Sequence, residues 1–168
     1  MDLLEDGALR VVAGRGTKRM GPEFGVLQSL ETKGIRFVVI LDGDDAGGMA
    51  AEAMRRFGAQ KNRHFFQLER RDFKDKGGKS WDVEIEDMLP PALIETFVRQ
   101  HPEAVEERFQ RQDVVKFVIN GTPVEKDGRA CDYKKMLAEY ARQHATLDDL
   151  TPLVQLLKKA RNCMGLKD

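Results

Sequence analysis

Apolar positions along this chain follow two alternating patterns. The run Arg36 to Leu41, RFVVIL, is continuous and rich in β-branched residues, the pattern of a strand covered on both faces in a parallel sheet. Leu9 to Ala13 is a shorter apolar run that ends in Gly14-Arg15-Gly16 and reads as a strand leaving a sheet, and His64 to Leu68 reads as a third strand. Between these runs the spacing becomes helical. Pro22 suits a first helical turn, Phe24, Leu27 and Leu30 share one face, and Lys33-Gly34 supplies a stop. The segment Ala46 to Phe57 is rich in Ala and Met, and Gly58 closes it as a second helix. Strand, helix, strand, helix, strand at this spacing requires crossover connections, so the predicted class is α/β, a Rossmann-type parallel sheet flanked by helices.

Beyond Leu68 the pattern changes. Glu69 to Lys79 is charged, has Gly77-Gly78 near its end and reads as a loop. Ile85, Met88 and Leu89 form a short helical turn stopped by Pro90-Pro91, and Leu93, Ile94, Phe97 and Val98 predict a helix running toward Pro102. Asp113 to Ile119 contains the strand-like VVKFVI, followed by an Asn120-Gly121 turn and a polar loop to Asp132. Met136, Leu137 and Tyr140, and then Leu150, Leu153, Val154 and Leu157, predict two final helices, the second beyond a capping region at Thr146 to Asp149. The expected division is an α/β part over residues 1–92 and a mostly helical C-terminal extension over residues 93–168.

Composition narrows the class. A chain of 168 residues with 41% hydrophobic content can bury a core. Its longest apolar stretch, Phe37 to Leu41, is far short of the roughly 20 residues that cross a bilayer, so no membrane partner is expected and a cytoplasmic location is. Cys131 and Cys163 lie far apart and suggest neither a disulfide framework nor a zinc knuckle. The 28 basic and 28 acidic residues cancel, but unevenly: residues 51–80 carry nine Lys/Arg against four Asp/Glu, and residues 81–110 two against eight. A basic rim facing phosphates beside an acidic cation site would give this pattern, and so would plain solvated surface.

Candidate chemistry concentrates at Asp42, Asp44 and Asp45, where the surest strand ends. The carboxyl ends of strands are where open α/β sheets bind ligands. Carboxylates are hard ligands suited to Mg²⁺ or Mn²⁺, and Gly43 lets the turn tighten so that Asp42 and Asp44 can converge on one ion. The alternative is that Asp42 caps the following helix and its neighbours decorate a helix N-terminus.

The run VVILDGDDAGGMAAEAMRRFG resembles the aspartate motif of TOPRIM domains, the module shared by bacterial primases, topoisomerases and the overcoming-lysogenization-defect (OLD) family of nucleases. Val83-Glu84-Ile85-Glu86-Asp87-Met88-Leu89-Pro90 is similar to the Glu-rich IEDLLP segment of OLD-type nucleases, and Tyr133-Lys134-Lys135-Met136-Leu137-Ala138 to their lysine-bearing helix start. The strand before Gly14-Arg15-Gly16 is similar to the family's second strand and glycine turn. The resemblance implies a TOPRIM-like fold with a helical C-terminal extension. It implies Mg²⁺ or Mn²⁺ held by Asp42, Asp44 and Glu84 or Glu86, two ions in a complete site, with Lys134 or Lys135 contacting phosphate or the transition state. Arg15, Arg70, Arg71 and Lys74 are then candidate DNA contacts. The implied activity is metal-dependent DNA cleavage within a larger ATPase-nuclease, with DNA, an ATPase domain or subunit and a homodimeric partner copy as the expected partners.

One departure bears on activity. TOPRIM domains open with a strand ending in a metal-site glutamate, and Met1 to Asp6 offers no apolar strand before Glu5. The expectation is either a partial domain whose first strand lies elsewhere or a degenerate one, inactive alone. Two rivals therefore stand beside the nuclease: a non-catalytic scaffold or partner-binding module, and a primase-like domain, which the IEDMLP segment and the helical tail disfavour. Elsewhere His64, His101 and His144 are too scattered for a zinc site or triad, Gly14-Arg15-Gly16 is no complete dinucleotide fingerprint, and Trp81 reads as a packing residue.

Overall fold

The computed structural model describes residues 20–74, 80–122, 124–126 and 129–166. The predicted strand at Leu9–Ala13 and its glycine turn lie outside the described residues.

The chain is a mixed α/β protein, with one small parallel sheet and two antiparallel hairpins among the described residues. Helix α1, Met20–Glu31, buries Met20 and Phe24 and ends in a turn where Gly34 takes a positive φ of 81°. Strand β1, Val39–Leu41, follows, then helix α2, Asp45–Arg56, and strand β2, Phe65–Gln67, which pairs parallel to β1 with Val39 opposite Phe65. This is the predicted crossover unit. Both strands are shorter than their apolar runs because the ladder is only three residues long, with one further bond at each end, Val39 N–H to His64 O and Leu68 N–H to Leu41 O, both 2.8 Å.

Strand alternation assigns the apolar residues to two cores. Val39, Leu41 and Phe65 face α1 and α2, where Phe24, Ala50, Ala51 and Met54 are buried. Val38, Ile40, Phe66 and Leu68 face the other way, onto Phe73, Val83, Met88 and Ala160. The continuous RFVVIL run is thus explained by cover on both faces.

Helix α3, Pro91–Gln100, leads to an antiparallel hairpin of β3, Val105–Arg111, and β4, Val114–Ile119, whose turn holds Gln112 at φ 52°. A smaller hairpin follows, β5, Val124–Lys126, with β6, Arg129–Cys131, in the stretch where the sequence predicts only a polar loop. Helices α4, Tyr133–His144, and α5, Thr151–Cys163, complete the chain. The extension over residues 93–168 therefore carries two hairpins besides its three helices. Leu89, Ile94, Phe97, Ile119, Tyr133 and Leu137 form its core, a third cluster built by α3, α4 and β4. Helix α5 does not stay with that cluster alone: Ala160, Leu156 and Cys163 return to the α/β sheet.

Phe66 is 1% exposed and sits in the core that joins the sheet to α5. Phe66→Ala removes a buried aromatic ring and is expected to lower unfolding free energy by about 3–5 kcal/mol, read as a reduced urea midpoint.

Candidate functional site

Asp42 leaves the carboxyl end of β1, and the turn after it is held by two glycines. The Gly43 amide donates to the carbonyl of Val83 at 2.6 Å. A Cβ at Gly43 would lie 2.4 Å from the Leu68 carbonyl oxygen and 3.1 Å from the Val83 Cβ, so the closeness of this segment to the sheet edge depends on glycine. A Cβ at Gly47 would meet the Asp42 carbonyl oxygen at 2.0 Å. Gly47 N–H donates to Asp44 Oδ1 at 2.6 Å, so the residue that caps α2 is Asp44 and not Asp42. Asp42 is left free of that duty.

The Gly43–Val83 bond carries the acidic segment to the same edge. Glu84 precedes a single 3₁₀ turn, Ile85–Met88, and its amide donates to Asp87 Oδ2 at 2.8 Å. Asp87 is 4% exposed, and burial pushes its carboxyl above the usual aspartate range against the pull of the Glu84 amide and Lys116. From α4, capped by Asp132 through the Lys135 amide at 3.0 Å, Lys134 reaches across to Glu84 Oε2 at 2.5 Å and Glu86 Oε1 at 3.2 Å. Lys116 reaches the segment from β4, with Nζ 2.6 Å from the Asp82 carbonyl oxygen, 3.2 Å from Asp87 Oδ2 and 3.8 Å from Glu84 Oε1.

Asp42 senses these groups. Its carboxyl titrates above the ordinary aspartate range, first because it is partly desolvated and then because Glu86, Asp44 and Glu84 are negative, while Lys134 pulls the other way. Lys134 shows the converse. Desolvation disfavours its charge, but the hydrogen bond to Glu84 and the charges of Glu86 and Glu84 win and push it up to about 12. A lysine so placed is a fixed positive charge near neutral pH and not a general base. Five carboxyl groups, Asp42, Asp44, Glu84, Glu86 and Asp87, thus meet two ammonium groups. The excess is negative, and Glu86 Oε2 is buried without a hydrogen-bond partner among the described residues.

The donor chemistry suits a hard divalent cation, yet among the described residues no three Asp, Glu, His or Cys side chains are arranged to hold one as they stand. The two reasons visible in the geometry are that Asp44 Oδ1 is committed to its cap and that Lys134 lies between Glu84 and Glu86.

Of the two lysines singled out in the sequence, Lys134 joins the acidic groups, whereas Lys135 is exposed and contributes its amide to the cap. Arg70 is bound internally: it pairs with Asp72, donates to the Asp87 carbonyl at 2.5 Å and lies over the Phe73 ring. Arg71 and Lys74 are exposed, Lys74 3.9 Å from Glu69, and Arg15 lies outside the described residues. Trp81 packs edge-on against Phe73 at 5.4 Å, under Arg111. Asp87 and Lys116 are the members that sequence reasoning missed. Their signal was a lone lysine in the apolar strand VVKFVI. A cleft of about 600 Å³ opens at the end of β2 between Arg70, Pro90 and α5; Asp87 lines it, whereas Asp42, Asp44, Glu84 and Glu86 do not.

Comparison of the chain with protein-family models, with curated proteins and with solved structures finds no match.

Gly43→Ala forces a methyl group into the Leu68 carbonyl and is expected to destabilise by about 2 kcal/mol or more, while shifting the Glu84–Asp87 amide resonances. The Asp42 carboxyl, followed by carbon NMR against pH, is expected to titrate above its usual range; Glu86→Gln lowers its midpoint and Lys134→Met raises it further. Because the folded carboxyl holds its proton more tightly than the unfolded one, this group favours the folded state below the unfolded pKa. That contribution disappears as pH rises through the folded pKa.

Proposed function

We propose that this chain is the metal-binding part of a TOPRIM-like domain of OLD type, serving the Mg²⁺- or Mn²⁺-dependent hydrolysis of DNA phosphodiesters. The observation that carries this reading is convergence. Asp42 and Asp44, Glu84 and Glu86, and Lys134 lie in three separate segments of the chain, and they interact at one edge of the sheet. The same three segments are those that resemble the family's motifs.

Within this reading Asp42, the uncommitted oxygen of Asp44 and Glu86 hold the cation. Glu86 is preferred to Glu84 because its Oε2 is buried and unpartnered, whereas both oxygens of Glu84 face an ammonium group. A bound divalent ion supplies Lewis acidity toward a phosphoryl oxygen and an activated water. Lys134 would provide positive charge where negative charge develops on the phosphoryl oxygens, and Glu84 orients that ammonium group. Arg71 and Lys74, exposed beyond β2, are the remaining candidates for phosphate contacts. DNA, an ATPase partner and a partner copy belong to this proposal through the resemblance, and a cytoplasmic location through the short apolar stretches of the sequence.

A second reading has its own support. Lys134 already bridges Glu84 and Glu86, as in a structural ion network, which favours a scaffold without a metal. A Mn²⁺ titration followed by paramagnetic broadening of amide signals, on the natural chain and on Asp42→Asn/Asp44→Asn, separates the two. The nuclease reading expects broadening confined to the Asp42 turn and the Glu84–Asp87 segment, abolished in the variant. Diffuse broadening, equal in both proteins, would favour the scaffold.

A further inference from the structure

Lysine is seldom buried, because removing its charge from water is costly unless a partner replaces the lost hydration. Lys116 is 3% exposed in the middle of β4, between apolar neighbours Val115 and Phe117. A methionine of similar length would fill that position without desolvating any charge, and exchanging a buried ion pair for apolar residues is often neutral or stabilising. Stability alone therefore gives little reason for a lysine there. Its contacts give a better one. Nζ donates to the Asp82 carbonyl at 2.6 Å, meets Asp87 Oδ2 at 3.2 Å and stands 3.8 Å from Glu84 Oε1. The Asp87 oxygen it meets is the one that accepts the Glu84 amide. Lys116 thus touches the acidic segment before the turn that presents Glu86, at its N-cap and within it.

We propose that Lys116 is a positioning residue of the carboxylate site: through Asp82, Asp87 and Glu84 it fixes the turn that aims Glu86 toward Asp42 and Asp44. The proposal deepens the metal-site reading and rests on it for the consequence in cation binding. Lys116 and Lys134 divide the labour on Glu84. Lys116 faces Oε1 from the protein interior, and Lys134 faces Oε2 from the more open side, where its side chain is 34% exposed. Held from both sides, Glu84 cannot swing into the place of Glu86. Supports of this kind, one bond removed from a ligand, commonly change metal affinity by about 10–100-fold.

The test uses the full chain with Lys116→Met, and with Lys116→Met combined with Asp87→Asn, which leaves no lone buried charge and keeps the fold accessible if the single change does not. Three quantities are read on whichever variants retain the natural circular dichroism: Mn²⁺ affinity from the electron paramagnetic resonance of free Mn²⁺, hydrogen exchange at the Glu84 amide, and the carboxyl carbon shifts of Glu84 and Glu86. Expected are Mn²⁺ binding weakened by about tenfold or more, faster exchange at Glu84, and moved carboxyl shifts of both glutamates. A folded variant whose Glu84 exchange and carboxyl shifts match the natural chain would overturn the proposal. If the natural chain binds no Mn²⁺ yet the exchange and shifts change in the variant, the metal reading fails and the positioning role stands.

Discussion

At 2.6 Å the amide of Gly43 donates to the carbonyl of Val83, and this one backbone bond joins the end of β1 to a segment forty residues further on. No side chain fits at residue 43, since the Leu68 carbonyl occupies the space. The bond satisfies a backbone donor beside a strand end and at the same time sets the aspartate turn against the acidic turn. Without that approach Asp42 would not sense Glu84 and Glu86, and the acidic groups would be separate surface features.

The electrostatics that follow are unbalanced in a particular way. Burial and like charge raise Asp42, burial raises Asp87, and carboxylates raise Lys134 to about 12. Of the groups at the rim, Asp42 is exposed and Lys134 half-buried. The groups behind them, Asp87 and Lys116, are sealed at 4% and 3% exposure and act as a support. A rim with spare negative charge thus rests on a sealed, ion-paired support.

Much of this was legible in the sequence, for reasons that are local. RFVVIL announces a strand covered on both faces, and the Ala- and Met-rich segment ending at Gly58 announces its helix, because propensity, periodicity and glycine all act within a few residues. Asp42, Asp44, Glu84, Glu86 and Lys134 were legible as motif residues. What escaped depends on pairing across distance. VEERFQR has only Val105 and Phe109 as apolar residues and a bulge near its start, so β3 exists because β4 pairs with it. The three-residue strands β5 and β6 carry even less signal. Which aspartate caps α2, Asp42 or Asp44, turns on a shift of two residues, decided by the close approach of Gly47 to the Asp42 carbonyl. Lys116 was read as part of an apolar strand, and only its tertiary surroundings reveal what it meets.

Helix α5 covers a face of the sheet whose strands, β1 and β2, come far earlier in the chain, and Arg36 donates to the Met164 and Gly165 carbonyls at 3.0 Å each. During synthesis, at roughly 5–20 residues per second, the β1–α2–β2 unit emerges well before this cover does. Phe73, Val83 and Met88 follow Phe66 within this core, and Leu156 and Ala160 of α5 are added to it later. In the order of synthesis α5 is thus the element that closes a core begun by the β1–α2–β2 unit.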